Sequence, residues 1–389
     1  MTPAAYPQLR LDVDALDHNI RVMADWCRRK EVALAPHVKT TMSAPIVERQ
    51  LAAGSSTVTV ATVEQAQTVL GWGHHSVLIA NQVVDRFGLE RLKTWLETDP
   101  ARRIRCFVDS AEGVAAAEQV FTAHGPALHV LLDVGTPGGR AGVRRPGDAL
   151  RLARQISRAP GLRLVGVAGY EGVAPNNRMD ETIAAVDDHC RLVRDVHVEA
   201  ADLFETDAPV CSMGGSAFPD RVVEFLPTDS DVPGTVRLLR SGCYVTHDHG
   251  TYRRVSPIPG LVPAASIRSV VLSLPEDGMA VVGAGKRDLP YDADPPVLLA
   301  AHHPGGSARH GIAGTVRTLY DHHCVLTGVT GLDVADLIDF GISHPCSVFD
   351  RWPDYLVTDR TGEVIDVWST DFRRASIAAP DSTTAEATV

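Results

Sequence analysis

The feature of the sequence that most restricts its fold is a regular alternation of short apolar segments with segments of helical period between residues 32 and 240. The β-rich segments lie at about 32–37, 57–61, 76–80, 104–108, 127–132, 162–168, 208–212 and 235–239. Strict strand–helix alternation implies parallel pairing, and eight units in about 210 residues suit a closed (β/α)8 TIM-type barrel of the α/β class. An open doubly wound sheet is the alternative, but no G-x-G-x-x-G follows the first strand.

The pattern changes after Tyr252, where helical periodicity gives way to short β-rich segments such as 266–274 and 279–282, joined by turns. We therefore predict a barrel domain at 14–250 and a second, mostly β domain at 251–375. The N-terminal segment 8–13 is expected to add a strand to the β domain. Residues 376–389 are small and polar, which is typical of a disordered tail.

Composition excludes several classes of protein. The net charge of -11 argues against nucleic acid or an anionic membrane surface as a partner. There is no run of the roughly 20 apolar residues that a membrane helix needs, and residues 1–10 do not have the pattern of a secretory signal. Seven scattered cysteines do not resemble a disulfide framework. These features predict a cytoplasmic globular protein.

A lysine follows the first predicted strand, in the stretch Ala35 to Thr41. If residues 32–37 form a strand, His37 and Lys39 project to the same side. A lysine at the C-terminal mouth of a buried strand is costly to desolvate, which favours the neutral, nucleophilic amine needed for a Schiff base. The alternative is an ordinary lysine that reaches solvent from a strand end.

Two glycine-containing loops follow the seventh and eighth predicted strands, at 212–216 and 240–244. Glycine allows backbone N–H groups to approach a phosphate closely, and a helix beginning near Ser216 would add its dipole. Loops after barrel strands seven and eight commonly form a phosphate site. Either loop taken alone is equally consistent with a simple turn.

Two further side chains lie on loops at the same predicted mouth. Arg140, in the glycine-rich loop after the fifth strand, could face a ring nitrogen, a carboxylate or a neighbouring acid, or form a surface ion pair. Tyr170, at the end of the sixth strand, could stack on a planar ligand or pack at the barrel mouth.

The sharpest motif of the predicted β domain is His344-Pro345-Cys346. In extended backbone, residues i and i+2 share a face, so the imidazole and the thiolate could bind one metal ion. A sulfur and a nitrogen ligand favour Zn²⁺, and two protein ligands leave open positions, as in catalytic sites. The clusters at 302–303 and 321–324 are rival metal sites, but nothing connects them to the barrel mouth.

Taken together, these motifs resemble one family. Residues 36–40 (P-H-V-K-T) resemble the P-H-x-K-T signature of the fold-type III pyridoxal phosphate enzymes grouped with D-threonine aldolase and eukaryotic-type D-serine dehydratase, which have an alanine racemase-like barrel. The segments 59–66, 135–143 and 240–244 (R-S-G-C-Y) are similar to later segments of that family. The H-x-C form at 344–346 is typical of the dehydratases, whereas the aldolases usually have H-x-D. The resemblance extends over about residues 8–370. Two positions depart from the family pattern: Thr41 stands where many relatives have a histidine, and the phosphate loop reads G-G-S-A at 214–217.

The resemblance implies pyridoxal phosphate bound to Lys39 and a divalent metal at the barrel mouth, zinc first, with manganese or cobalt as alternatives. The implied cofactor-binding residues are Lys39, His37, Arg140, Tyr170, Gly214, Gly215, Ser216, Gly242 and Tyr244, and the implied metal ligands are His344 and Cys346. Lys39 would be the catalytic base, and His37 a supporting neighbour.

The implied activity is that of a D-serine dehydratase-like lyase, which converts a small D-3-hydroxy amino acid into a keto acid and ammonia. An aldolase that yields glycine and an aldehyde is the alternative, because one site geometry serves both reactions. An amino-acid racemase and a non-catalytic pyridoxal phosphate-binding protein are further alternatives. Members of the family typically form head-to-tail homodimers.

Overall fold

The computed structural model describes residues 5–303 and 308–372. Its helices are α1 (Val13–Arg29), α2 (Ala44–Ala52), α3 (Val63–Gly71), α4 (Arg86–Thr98), α5 (Ala111–Glu118), α6 (Pro146–Ile156), α7 (Asp180–Glu199), α8 (Pro219–Phe225) and α9 (Thr251–Val255). Its strands are β1 (Gln8–Asp12), β2 (Ala33–Leu34), β3 (Val58–Val60), β4 (Ser76–Gln82), β5 (Arg103–Val108), β6 (Leu128–Val134), β7 (Leu162–Gly169), β8 (Val210–Met213), β9 (Val236–Leu239), β10 (Ala265–Ser273), β11 (Met279–Val282), β12 (Val297–His302), β13 (Ala308–His310), β14 (Thr315–Leu319), β15 (Cys324–Thr327), β16 (Leu337–Gly341), β17 (Asp354–Thr358) and β18 (Val364–Ser369).

The strands β2 to β9 form the predicted parallel barrel. Their order in the sheet is β2-β9-β8-β7-β6-β5-β4-β3, and every neighbouring pair is parallel. A parallel bridge between His37 and Thr59 joins the two ends of this sheet. The Thr59 N–H donates to the Pro36 carbonyl at 2.9 Å, and the Thr59 hydroxyl donates to the Ala35 carbonyl at 2.9 Å. The α/β barrel class predicted from the alternation is confirmed.

The barrel strands separate two sets of buried side chains. In β6, Val130 and Leu132 belong to the large core shared with the helices. Leu131, between them, belongs to a second cluster formed by residues of the barrel strands and Ala35. Successive side chains of a strand point to opposite faces, so the second cluster fills the barrel interior and closes it below the mouth.

Local sequence signals account for most helix starts. Asp12 caps α1 by accepting the Ala15 N–H at 2.9 Å. Thr62 caps α3 by accepting the Gln65 N–H at 3.2 Å, and the Gln65 side chain in turn accepts the N–H of Ala61.

The helical pattern of the sequence after Ser110 extends to His124, but α5 ends at Glu118. Beyond it, the chain turns inward so that Phe121 is buried and its carbonyl lies against Gly161. Tertiary packing therefore overrides helix propensity in this segment.

Ten strands among the described residues form the second, mostly β sheet. The order along its main path is β13-β12-β16-β10-β1-β17-β18, and β11, β15 and β14 extend it from β10. The N-terminal strand β1 lies inside this sheet, antiparallel to β10 and parallel to β17. The β-rich segment at 312–316 of the sequence corresponds to β14, which begins three residues later, and the sequence pattern does not predict β13, β16 and β18.

The loop before helix α2 contacts the second sheet directly. The hydroxyl of Ser43, just before α2, lies 2.6 Å from the hydroxyl of Tyr355 in β17, and it also donates to the Ser369 carbonyl at 2.9 Å. The domain limits at 250 and 375 stay predictions, and the tail at 376–389 lies outside the described residues. Over those residues, no helix combines the length and apolarity required to cross a membrane.

Candidate active site

A cavity of about 550 Å³ opens at the C-terminal mouth of the barrel. Most of the predicted site residues line it: His37, Lys39, Arg140, Tyr170, Gly214, Gly215, Ser216, Gly242, His344 and Cys346. Two of these, His344 and Cys346, follow β16 of the second sheet, so both sheets contribute to one cavity. The volume lies in the range of small-molecule sites, roughly 300–1,000 Å³.

Lys39 lies in a short 3-10 turn, Val38–Thr40, and not directly at a strand end. The strand predicted over 32–37 is reduced to β2, because Pro36 has no N–H to donate and interrupts the ladder. The argument that strand alternation places His37 and Lys39 on one side is therefore wrong, although both side chains line the cavity. Within the described residues, Lys39 has no carboxylate close enough for an ion pair, so its amine is available for chemistry.

His37 is the neutral neighbour of this lysine. Burial, together with the positive charges of Lys39 and Arg240, holds the pKa of His37 well below its usual range. Its Nδ1 has no hydrogen-bond partner among the described residues. These observations fit the supporting role that the sequence analysis gave to His37.

The glycine loop after β8 is already partly occupied by a protein carboxylate. The N–H groups of Gly214 and Gly215 donate to Glu171 at 3.1 and 2.7 Å. Burial raises the pKa of Glu171, and the two N–H groups oppose that shift. The helix expected near Ser216 begins only at Pro219 and has seven residues. The predicted anion site at Gly214 and Gly215 is therefore filled by Glu171 in this structure.

Free backbone donors remain next to that carboxylate. The N–H groups of Ser216 and Gly242, both residues of the cavity wall, donate to no acceptor among the described residues. Gly242 is also required sterically, since a Cβ there would lie 2.5 Å from the His37 carbonyl oxygen. An anion such as a phosphate is the ligand that such donors bind.

Tyr244, which was predicted to bind the cofactor, does not line the main cavity. Its side chain is buried beside α1, where its hydroxyl accepts a hydrogen bond from Gln50 Nε2 at 2.9 Å. Burial raises the pKa of Tyr244 above its usual value. The turn at Cys243–Val245 directs the tyrosine away from the mouth and its neighbour Cys243 toward it.

Tyr170 and Arg140 lie together on the cavity wall. The Arg140 guanidinium stacks over the Tyr170 ring, 4.8 Å from its centroid. Burial, with the charge of Glu171, raises the pKa of Tyr170 to about 12, so the phenol is neutral and can donate a hydrogen bond. An aromatic face backed by a cation suits a planar, anionic ligand.

The most important residue that was not selected from the sequence is Arg240. It is buried in the cavity wall, where it donates to Ser212 Oγ and to the Gly169 carbonyl, both at 2.6 Å. Burial lowers its pKa, while the carboxylates of Glu171 and Asp133 oppose that shift. Arg240 is the first residue of the R-S-G-C-Y segment, so the sequence contained a signal for it.

The metal motif has a third potential ligand, Cys243. Ligand atoms of Cys243, His344 and Cys346 all lie within 4.8 Å of one another, and the two sulfurs are 3.3 Å apart. Asp292 contacts His344 Nδ1 at 2.5 Å. Burial alone would lower the pKa of His344, but its hydrogen bonds with Asp292 and Cys346 raise it to about 10. Because Nδ1 is engaged, Nε2 is the nitrogen left for a metal ion.

The rival clusters lie elsewhere. His302 pairs with Asp339 at 2.7 Å, and His303 with Asp336 at 2.6 Å. Cys324 is buried in β15. Neither cluster lines the main cavity.

The donor set at the mouth fits both expected groups. A lysine amine, an aromatic face, unpaired backbone donors and a buried arginine suit pyridoxal phosphate. Two thiols and an oriented imidazole suit a soft divalent ion such as Zn²⁺.

Comparison with known proteins matches the chain to the family that its motifs resemble. The sequence model described as "Alanine racemase, N-terminal domain" matches residues 11–218, and that described as "Putative serine dehydratase domain" matches residues 264–358. D-Threonine aldolase of Arthrobacter sp. is 27% identical over 375 residues, which are 94% of this chain and 92% of that protein. D-threo-3-hydroxyaspartate dehydratase of Delftia sp. is 27% identical over 394 residues, or 93% and 95% of the two chains.

A solved structure supports the fold over nearly the whole chain. The crystal structure of D-threonine aldolase from Filomicrobium marinum superposes with a TM-score of 0.80 and 27% identity, and the match covers 94% of this chain and 95% of that one. Since the alanine racemase model matches more than half of the 389 residues, the chain belongs to the family of the alanine racemase N-terminal domain and is a pyridoxal phosphate-dependent lyase of fold type III.

Proposed function

We propose that the protein is a pyridoxal phosphate- and metal-dependent lyase that acts on D-3-hydroxy amino acids, and that it releases a keto acid and ammonia as a D-serine dehydratase does. The observation that carries the proposal is that a lysine amine and a histidine–cysteine donor set line one cavity. A lysine suits covalent attachment of the cofactor, and a metal donor set at the same cavity suits a substrate with a hydroxyl group.

Lys39, Tyr170, Arg140, Ser216 and Gly242 would hold the pyridoxal phosphate. When bound, this cofactor supplies an electron sink for a bond broken at Cα of an amino acid. Ser216 and Gly242 line the cavity with free backbone N–H groups that would bind its phosphate, and the aromatic face of Tyr170 would contact its ring. Lys39 would then move the Cα proton, since its amine is free of any ion pair with the described residues.

His344 and Cys346 would hold the divalent ion close to the substrate hydroxyl. Such an ion supplies Lewis acid chemistry that helps a hydroxyl group leave. Asp292 fixes the imidazole through its contact with Nδ1. The carboxylate of Asp292 thus orients one ligand without itself facing the main cavity.

Retro-aldol cleavage is the second candidate, because Arthrobacter D-threonine aldolase and Paracoccus denitrificans 3-hydroxy-D-aspartate aldolase both match this chain. The H-x-C motif favours dehydration, and the match to the Delftia dehydratase agrees with it. That protein's name adds D-threo-3-hydroxyaspartate to the substrates worth testing. We further propose that the protein is cytoplasmic and forms a homodimer. Gel filtration with light scattering would test the dimer.

The deciding experiment is product analysis of the purified protein with D-serine, D-threonine and D-threo-3-hydroxyaspartate, with and without a chelator. We expect a keto acid and ammonia, and loss of turnover with the chelator. Glycine and an aldehyde would instead establish the aldolase. Racemised substrate formed regardless of the chelator would identify a racemase, and no product from any substrate would refute the proposal.

Two sets of variants separate the parts of the site. Lys39→Ala should abolish the visible absorbance of the bound cofactor, whereas Lys93→Ala, on the surface helix α4, should retain it. His344→Ala and Cys346→Ala should keep the absorbance and lose most turnover. Full turnover in both variants would contradict the metal assignment.

A further inference from the structure

We propose that Cys243 is a third protein ligand of the catalytic metal, so that the ion is bound by two thiolates and one imidazole. This inference rests on the proposed function, which requires a metal at His344 and Cys346. Cys243 lies outside the H-x-C motif, in the turn that follows β9.

The position of Cys243 is fixed by the barrel. It begins the short 3-10 turn after β9, and its backbone N–H donates to Ser216 Oγ at 3.2 Å. The side chain is only 4% exposed and forms part of the cavity wall. Because the neighbouring residue Tyr244 points away from the cavity, the turn presents the thiol to the metal motif.

The second thiol, that of Cys346, is positioned by the second sheet. Cys346 lies in the turn after β16, where its Sγ is 3.3 Å from Cys243 Sγ and 3.3 Å from Thr40 Oγ1. His344 is held by Asp292. Three potential ligands from two sheets therefore converge without a bound ion to draw them together.

The separation of the two sulfurs is close to that of two ligands of one metal ion. Sulfurs about 2.3 Å from a tetrahedral zinc ion lie about 3.8 Å apart. The observed 3.3 Å thus requires an opening of about half an ångström, which side-chain rotation can supply. A set of two cysteines and one histidine leaves the fourth tetrahedral position open, as catalytic zinc sites require.

A second thiolate changes which ions the site prefers. Thiolate ligands select zinc and similarly soft ions, whereas carboxylate and water ligands suit manganese and magnesium. We therefore expect this chain to retain zinc or cobalt in competition with manganese. Cys243→Asp should shift the preference toward manganese while leaving a three-ligand site.

The direct test uses cobalt as the probe. Protein stripped of metal is loaded with Co²⁺, the bound cobalt is counted, and the thiolate-to-cobalt charge-transfer absorbance is measured per cobalt. We expect Cys243→Ala and Cys346→Ala each to lose about half of the wild-type intensity, because two thiolates contribute. Cys324→Ala, a buried thiol of the second sheet, is the matched control and should keep the full intensity.

X-ray absorption of the zinc-loaded wild-type protein gives an independent readout that needs no variant. Two sulfurs per zinc support the proposal, and a single sulfur overturns it. Unchanged cobalt intensity in Cys243→Ala would likewise overturn it while leaving the function intact. Wild-type protein that binds no metal would instead refute both this inference and the metal requirement of the proposed function.

Discussion

The turn that carries Lys39 depends on the absence of a side chain at Gly242. A Cβ at this position would lie 2.5 Å from the His37 carbonyl oxygen and 2.8 Å from Thr40 Oγ1. The first contact is with the backbone of His37 and the second with the side chain of Thr40, and these two residues lie on either side of Lys39. The φ of Gly242 is -121°, which any residue can adopt, so the cost of Gly242→Ala is purely steric.

The size of the effect follows from these distances. Ordinary van der Waals contact begins at 3.4 Å, so the His37 carbonyl would have to retreat by about 0.9 Å. Overpacking of this kind costs about 1–3 kcal/mol of unfolding free energy. A displacement of about 1 Å in a reacting group can lower a rate about 100-fold. We therefore expect Gly242→Ala to lose stability and to bind pyridoxal phosphate more weakly, with loss of most turnover as a consequence.

Urea unfolding and titration with pyridoxal phosphate, followed by visible absorbance, would measure the two effects. Gly71→Ala is the matched control, because Gly71 ends α3 with open space around its Cβ position and without a positive φ. This control should be neutral or stabilising by up to about 1 kcal/mol. Wild-type stability and cofactor affinity in Gly242→Ala would refute the reasoning.

Two further predictions concern charged groups. Asp292→Ala removes the carboxylate that orients His344. Metal affinity, measured by competition with a chelator, should therefore fall about 10- to 100-fold. The control variant Asp277→Ala, on an exposed turn, should not change the metal affinity. Burial lowers the pKa of His189 and of His197 from 6.5 to about 4, so between these pH values the unfolded chain binds more protons. The free energy of unfolding, measured with urea, should therefore fall as the pH is lowered from 6.5 to about 4, by at most about 1.4 kcal/mol per pH unit for each histidine. Exchanging both for leucine should reduce this slope, and an unchanged slope would contradict the assignment.

The sequence was informative wherever a local pattern decided the structure. Strand–helix alternation set the order of the barrel strands, and the P-H-V-K-T segment identified the lysine at the cavity. The H-x-C motif pointed to two potential metal ligands that line the same cavity. In each of these cases, a period or a short spacing carried the information.

Contacts between segments far apart in the chain were not predictable in this way. The occupation of the Gly214 and Gly215 N–H groups by Glu171 depends on a loop more than 40 residues away. The rotation of the 243–245 turn, which buries Tyr244 and exposes Cys243 to the cavity, depends on packing against Gln50. Neither effect has a signature in a single window of sequence.

The coupling between the lysine and the metal motif follows from these long-range contacts. Gly242 packs on the turn of Lys39 from the barrel side, and Thr40, the next residue after the lysine, contacts Cys346 from the second sheet at 3.3 Å. Cys346 in turn contacts Cys243, the neighbour of Gly242. These contacts form a closed ring that joins the turn of Lys39 to the thiols of Cys243 and Cys346. The proposed lyase would act at both Cα and Cβ of one substrate, which requires the amine and the metal to be held in a defined relation to each other.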